Sequence, residues 1–261
     1  MNKPKVLLLD IETAPILGHV WGLWDQNVGL NQIKSDWHVL AWAAKWLGQA
    51  PSKIMYRDQR NAKNVEDDRE ILIDIWHLMN HADVIITQNG KAFDEKKLNA
   101  RFILNGFKPP SSYQHIDTKQ IASRKFGFTS NKLEYMTDKL CKKYKKLKHS
   151  KFSGFELWSE CLKGNLAAWK EMEKYNKYDV LSLEELYLKL RPWDTSSINV
   201  NLYDDMPTHV CGACGSKRLQ KNGFKYTSIG KYQRYLCLDC GSEAKDKMNL
   251  FSTEKKASLK K

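Results

Sequence analysis

Apolar and polar positions change rhythm several times along this chain. Val6, Leu7, Leu8 and Leu9 run without interruption into Asp10, Ile11 and Glu12, which reads as a buried strand ending in acid. Segments near 39–47 and 53–58 are apolar or β-prone and are expected to pair beside it. Residues 66–80 open on Glu66, Asp67 and Asp68, which suits a helix N-terminus, and continue with Ile71, Leu72, Ile75, Trp76, Leu78 and Met79 as a helical apolar face. Residues 84–88 predict a second buried strand. Residues 94–105 predict a helix, with Leu98 and Phe102 one turn apart and Gly106 as its C-cap. Pro109 and Pro110 force a loop. Residues 131–147 and 165–190 predict further helices, the last ended by Arg191-Pro192. Residues 192–208 are polar, carry Pro192 and Pro207, and read as a linker. Residues 209–251 form a small module, and the Lys-rich stretch 252–261 is expected to be disordered. No internal repeat is present. The expected organisation is an α/β domain over residues 1–191, the linker, the module and the tail.

Composition adds a partner class. The 261 residues are 42% hydrophobic and 11% aromatic, enough for a sizeable core. No run of 18 apolar residues exists, so no membrane partner is expected. Only four apolar residues precede Asp10, too few for a signal peptide, so a cytoplasmic setting is expected, with nucleoid association as a variant of it. The 43 basic and 30 acidic residues leave a net charge of +13. More than half of that excess falls within residues 206–261. Such a surface attracts polyanions, nucleic acid first.

Three acidic motifs carry candidate chemistry. Asp10 and Glu12 are two apart on a strand and share a face. Alone, they fit a strand end turning polar as well as a metal site. Asn89-Gly90-Lys91-Ala92-Phe93-Asp94 places an acid where a strand passes through a glycine turn into a helix, a place that capping alone would explain. Tyr175-Asn176-Lys177-Tyr178-Asp179 puts Tyr175 and Asp179 on one helical face, which a surface pair would also satisfy. Together the motifs supply four carboxylates from a strand, a strand–helix junction and a late helix. Oxygen-only donors suit Mg²⁺ or Mn²⁺, and two such ions roughly 3.5–4 Å apart activate water and stabilise the leaving oxygen in phosphodiester cleavage.

These motifs, DIET, NGKAFD and YNKYD, resemble the three exonuclease motifs of the DEDD 3′–5′ exonucleases, most closely those of family B DNA polymerase proofreading domains and their stand-alone relatives. The resemblance covers about residues 5–190 and is concentrated in the motifs. It implies an RNase H-like mixed sheet flanked by helices, and a tyrosine branch in which Tyr175 holds the attacking water, with Tyr178 as rival. It further implies that Asp10, Glu12 and Asp179 bind the first of two Mg²⁺ or Mn²⁺ ions. Asp10 would bridge to the second, and Asp94 would hold that one directly or through water. Asn89 would orient the turn or touch substrate. The sequence continues for 82 residues after Asp179, and no polymerase domain is expected among them.

Cys211-Gly-Ala-Cys214 and Cys237-Leu-Asp-Cys240 lie 22 residues apart, each followed by glycine. Four such cysteines imply a closed, structural Zn²⁺ site; a redox role is the lesser alternative. The interval predicts a β-hairpin turning at Ser228-Ile229-Gly230. The pattern resembles the zinc ribbons at the N-termini of certain insertion-sequence transposases, which implies a DNA-binding accessory. Lys221, Lys225, Lys231 and Arg234, interleaved with Tyr226, Tyr232 and Tyr235, are candidates for phosphate contact and base stacking, against a solvated hairpin packed on the knuckle.

Weaker signals remain. Seven lysines crowd residues 139–151, with Lys143 and Lys146 as candidate substrate contacts; a charge run is otherwise a solvated face. Trp21, Trp24, Trp37, Trp42 and Trp46 follow the first motif and are expected mostly in the core, with a loop over the cleft at residues 14–38, its aromatics stacking on a terminal base, as the alternative. His19, His38 and His149 read as surface or core residues, and Cys141 and Cys161 as isolated thiols. The function the resemblances imply is a metal-dependent 3′–5′ exonuclease acting on single-stranded ends, DNA first and RNA as the alternative, with unspecified replication or repair proteins as further expected partners. A structure-directed endonuclease using the same carboxylates and a catalytically silent nucleic-acid-binding protein are the alternatives.

Overall fold

Strand β1 (Val6–Thr13) organises the larger part of the chain, and its alternation sets what each face carries. Leu7, Leu9 and Ile11 face one side, while Leu8, Asp10 and Glu12 face the other. After it come β2 (Leu17–Gly18), β3 (Ile33–Ser35), β4 (Val39–Trp46), β5 (Met55–Asp58), α1 (Arg69–Asn80), β6 (Val84–Thr87), α2 (Asp94–Leu104), β7 (Gln114–Asp117), α3 (Thr118–Lys125), α4 (Leu133–Leu140), α5 (Glu156–Leu162) and α6 (Leu166–Leu190). Then follow β8 (Leu219–Thr227), β9 (Gly230–Cys237), β10 (Glu243–Lys245) and α7 (Thr253–Ser258). The structure is a computed structural model describing residues 3–147, 151–194, 198–205 and 207–260. It divides into two compact units, Lys5–Leu186 and one built mainly from Tyr187–Lys261.

In the first unit a five-stranded mixed sheet has the order β5-β4-β1-β6-β7. β4 and β5 run antiparallel to their neighbours, while β6 and β7 pair in parallel. Leu7, Leu9 and Ile11 pack with Trp42 against Ile71, Leu72 and Ile75 of α1 and Leu98 and Phe102 of α2. Leu40 and Ala41 meet Leu157 and Cys161 of α5 and Trp169 and Met172 of α6. Helices thus cover both faces, and Asp10 and Glu12 emerge on the side of α6.

The second unit holds the three-stranded antiparallel sheet β10-β9-β8. Its hairpin turns between Thr227 and Gly230, where the sequence places it. No described helix is long and apolar enough to cross a membrane.

Several expectations are corrected. The helix expected over 131–147 stops at Leu140 because Cys141 adopts extended backbone. The amides of Lys142 and Tyr144 then donate to the Glu185 carboxylate at 2.7 and 2.8 Å. The described residues of the expected linker 192–208 fall within the second unit, and Val200 N–H donates to the Gly212 carbonyl at 2.7 Å. The tail expected to be disordered carries α7, whose first turn is capped by Ser252. The tryptophans divide. Trp42 is core, its indole N–H donating to the Ile71 carbonyl, whereas Trp21 and Trp24 are 97% and 83% exposed. Lys148 and His149 of the basic run lie outside the described residues.

Candidate functional site

The acidic end of β1 meets the middle of α6. Burial on α6 recurs every three or four residues, with Trp169, Met172, Asn176, Val180, Leu183 and Leu186 turned inward, and Asp179 lies on this face one turn after Tyr175. One oxygen each from Asp10, Glu12 and Asp179 falls within 4.8 Å of the others. Asp179 is buried, while Asp10 and Glu12 are partly accessible.

Asp94 stands outside that triplet but belongs to the same charge cluster. The parallel ladder between β1 and β6 ends at Leu8, which leaves the Ile11 amide beyond it, and that amide donates to Asp94 Oδ1 at 3.2 Å. The turn carrying Asp94 is held tightly. Asn89 has a left-handed φ of 66°, and a Cβ on Gly90 would lie 2.2 Å from Thr87 Oγ1, so only glycine fits there. Asp117 accepts from the amides of Asn89 and Lys91 at 2.9 and 3.3 Å and caps α3.

Gathering these carboxylates has an electrostatic cost, visible in their proton affinities. Burial, then Asp179, then the other acids push Asp10 well above the usual carboxylate range. Burial and Asp179 push Glu12 up to about 8. Burial lifts Asp94 to about 7, with the Asp117 charge adding to it. A cation at the cluster would offset the mutual repulsion of these carboxylates.

Other side chains complete the surroundings. Tyr175 is nearly buried, its ring 6.2 Å from the Trp158 ring, and Trp158 hydrogen-bonds Glu12. Burial, followed by the charge of Asp179, raises the Tyr175 phenol and keeps it protonated. Tyr178 is directed elsewhere, against the Tyr144 ring at 6.1 Å. Lys146 reaches the cluster itself, with Nζ 2.6 Å from Asp179 Oδ2, while Lys143 is exposed. Asn89 Oδ1 accepts from Lys119 Nζ at 3.1 Å. A cavity of about 290 Å³ beside the turn is lined by residues including Asn89, Lys119, Lys132 and Lys146.

Sequence reading passed over Asn176. This fully buried amide donates to Asp10 Oδ2 at 2.6 Å and aligns it. Its position three before Asp179, hence on the same helical face, was the available signal. Trp158 and Asp117 had no such signal, because neither lies in a motif.

In the second unit the four cysteines converge. Cys211 and Cys240 sulfurs are 3.6 Å apart, Cys214 and Cys237 sulfurs 3.7 Å, and all four lie within 4.8 Å of one another. Those separations are far beyond a disulfide and match the edge of a tetrahedron with metal–sulfur bonds of about 2.3 Å, so the donor set fits zinc. Both knuckles are built alike: the amides of Gly215 and Gly241, with φ of 74° and 77°, donate back to Cys211 and Cys237. Lys221 lies on β8, exposed and opposite Tyr235. Arg234 on β9 is partly committed, donating to the Asn222 carbonyl at 2.7 Å and lying 3.9 Å from Glu243.

Comparison with known proteins places this geometry. The RNase_H superfamily model matches residues 46–191, a span that includes Asp94, Tyr175 and Asp179 and begins after Asp10 and Glu12. No curated protein matches the sequence. Among solved structures, the family B DNA polymerase from the hyperthermophilic archaeon Pyrobaculum calidifontis is similar, with a TM-score of 0.50 and 14% identity. The match covers 78% of this chain and 27% of the polymerase, a likeness of fold. With a mixed sheet of this topology and more than half of its residues matched, the chain belongs to the RNase_H superfamily.

Proposed function

We propose that this chain is a metal-dependent 3′–5′ exonuclease acting on nucleic-acid ends, single-stranded DNA first, with a zinc-ribbon module as its nucleic-acid anchor. The observation that carries the reading is the meeting of Asp10 and Glu12 from β1 with Asp179 from α6, with Tyr175 one turn from Asp179. In this reading Asp10, Glu12 and Asp179 would hold one Mg²⁺ or Mn²⁺, and Asp10 and Asp94 would hold a second, Asp94 directly or through water. Ions bound there would supply an activated water and stabilise the departing oxygen. Tyr175, kept protonated by its surroundings, orients that water through its hydroxyl. Asn176 fixes the Asp10 rotamer, and Trp158 fixes Glu12. Asn89, Lys143 and Lys146 border the substrate path. Cys211, Cys214, Cys237 and Cys240 hold one structural zinc, and Lys221 and Arg234 offer cations to phosphate. In this reading the unit Lys5–Leu186 carries the cleavage chemistry and the unit built mainly from Tyr187–Lys261 carries the anchor.

The test uses matched DNA and RNA oligonucleotides labelled at either end, single- and double-stranded, with Mg²⁺ or Mn²⁺. The expected result is metal-dependent release of mononucleotides from 3′ ends, lost in Asp10→Asn. Internal cuts would replace this reading with an endonuclease, and binding without cleavage would replace it with a silent binding protein.

A further inference from the structure

Carboxylates gathered as closely as Asp10, Glu12 and Asp179 need a countercharge whenever no metal is present. The chain provides one. The Lys146 ammonium lies 2.6 Å from Asp179 Oδ2 and 4.6 Å from the centre of the Tyr175 ring, and its side chain is only 23% exposed. Among the described lysines of the basic run, Lys139 and Lys145 pair instead with Asp138, and Lys146 alone contacts a carboxylate of the cluster.

The attachment of Lys146 matters as much as its position. It follows the end of α4, in a stretch without regular structure whose backbone is nonetheless tied down. Lys142 and Tyr144 amides are held by Glu185, and the Lys146 amide donates to Thr137 Oγ1 at 3.2 Å. The backbone is therefore anchored while a four-carbon stem carries the charge, so the ammonium can move without the chain moving. It also has somewhere to go: Lys146 lines the cavity beside Asn89 and Lys119, where the Glu134 side chain and solvent are at hand.

We propose that Lys146 is the resident counter-cation of the metal-free carboxylate cluster, and that a divalent ion and the Lys146 ammonium compete for Asp179, so that the ion seats only as the ammonium leaves. The inference rests on the reading of the cluster as a metal site. It predicts reciprocal coupling: whatever removes the ammonium tightens metal binding, and whatever seats the metal frees the ammonium.

Two measurements on the zinc-loaded, full-length chain test it. In Mn²⁺ titrations by calorimetry, Lys146→Gln is expected to bind about tenfold more tightly than wild type, the scale on which an adjacent opposite charge acts on a carboxylate. Lys139→Gln is expected to match wild type. In pulsed acetylation of the wild-type chain read by mass spectrometry, Lys146 is expected to be protected without metal and to react several-fold faster with saturating Mn²⁺. The second readout stands even if Lys146→Gln folds poorly. A merely structural ion pair would leave the acetylation rate unmoved. Mn²⁺ binding that depends on Asp179 but is indifferent to Lys146→Gln, or Lys146 reactivity that Mn²⁺ does not raise, overturns the proposal alone. Absence of any Mn²⁺ binding sensitive to Asp179→Asn overturns the metal-site reading and this inference with it.

Discussion

Asn176→Leu isolates the support of the cluster from the cluster itself. Leucine keeps roughly the volume of this fully buried side chain, so packing is largely retained. What disappears is the 2.6 Å donation to Asp10 Oδ2 and a weaker one, at 3.4 Å, to the Asp10 carbonyl. The amide oxygen lost with it has no partner among the described residues, so its removal offsets part of the cost of leaving Asp10 Oδ2 without its donor, and the metal-free fold should lose on the order of 1 kcal/mol. A hydrogen bond to a charged acceptor contributes about 1.5–3 kcal/mol net, which at about 1.4 kcal/mol per decade is roughly 10- to 150-fold. Loss of an outer partner of a metal ligand typically lowers metal affinity by about 10- to 100-fold, and the two estimates agree. The assay is initial cleavage rate against Mn²⁺ concentration on an end-labelled strand, with thermal melting of the metal-free protein alongside. The activation midpoint should move up by one to two decades, and excess Mn²⁺ should restore most of the rate. An unmoved midpoint, or a defect that excess metal does not rescue, would refute the assignment of Asn176 as the residue that positions Asp10.

Asp179→Asn should abolish cleavage while leaving binding of a labelled strand measurable by anisotropy; substantial cleavage by the purified variant counts against the site. Tyr175→Phe should lower turnover strongly and Tyr178→Phe little, because only the former hydroxyl lies at the cluster while Tyr178 packs on Tyr144; the reverse ranking would put the water on the other tyrosine. Asp68 is fully buried and accepts from Val39 N at 2.9 Å and from Arg101 Nε and Nη2 at 2.7 Å each. Asp68→Ala, which leaves the Arg101 charge without its partner, should cost about 3–5 kcal/mol in urea unfolding, and a loss below about 1 kcal/mol would make that network a minor one. Cys237→Ser should release zinc and weaken nucleic-acid binding; if three cations of the module contact duplex phosphate, the slope of log affinity against log salt should flatten by about 3. An unchanged slope would make the module something other than a nucleic-acid anchor.

Elements with strong periods were legible in the sequence. β1, β4, β6, α1, α2 and α6 all lie where apolar spacing placed them, because each buries a continuous face. β7 and α3 were not. Gln-His-Ile-Asp and Thr-Lys-Gln-Ile-Ala-Ser-Arg-Lys are mostly polar, and three buried residues on α3 leave no stripe to see. α5 spans only seven residues and buries Leu157 and Cys161, too little for a moment to show. Of the candidate site, the motifs and their family resemblance singled out Asp10, Glu12, Asp94, Asp179 and Tyr175, residues that the fold brings into one charge cluster. The pattern could not show that Lys146 lies inside the cluster when its neighbours lie outside it. That depends on where α4 stops and on the hold of Glu185 over the following amides, contacts 40 or so residues apart in sequence. Trp21 and Trp42 look alike in the sequence and differ completely in exposure, because one falls in the connection between β2 and β3 and the other on a central strand.

The contact between Gly90 and Thr87 has a consequence for anyone diversifying this protein. A library randomised over residues 89–94 and sorted only for soluble, folded chains should already return glycine at position 90, since any other residue drives a side chain into a buried threonine. Ala92 and Phe93, both exposed, should drift freely under the same sort. Selection for cleavage would then add a requirement at Asp94. The two screens, run in succession, would separate the part of this short motif that backbone geometry imposes from the part that chemistry does.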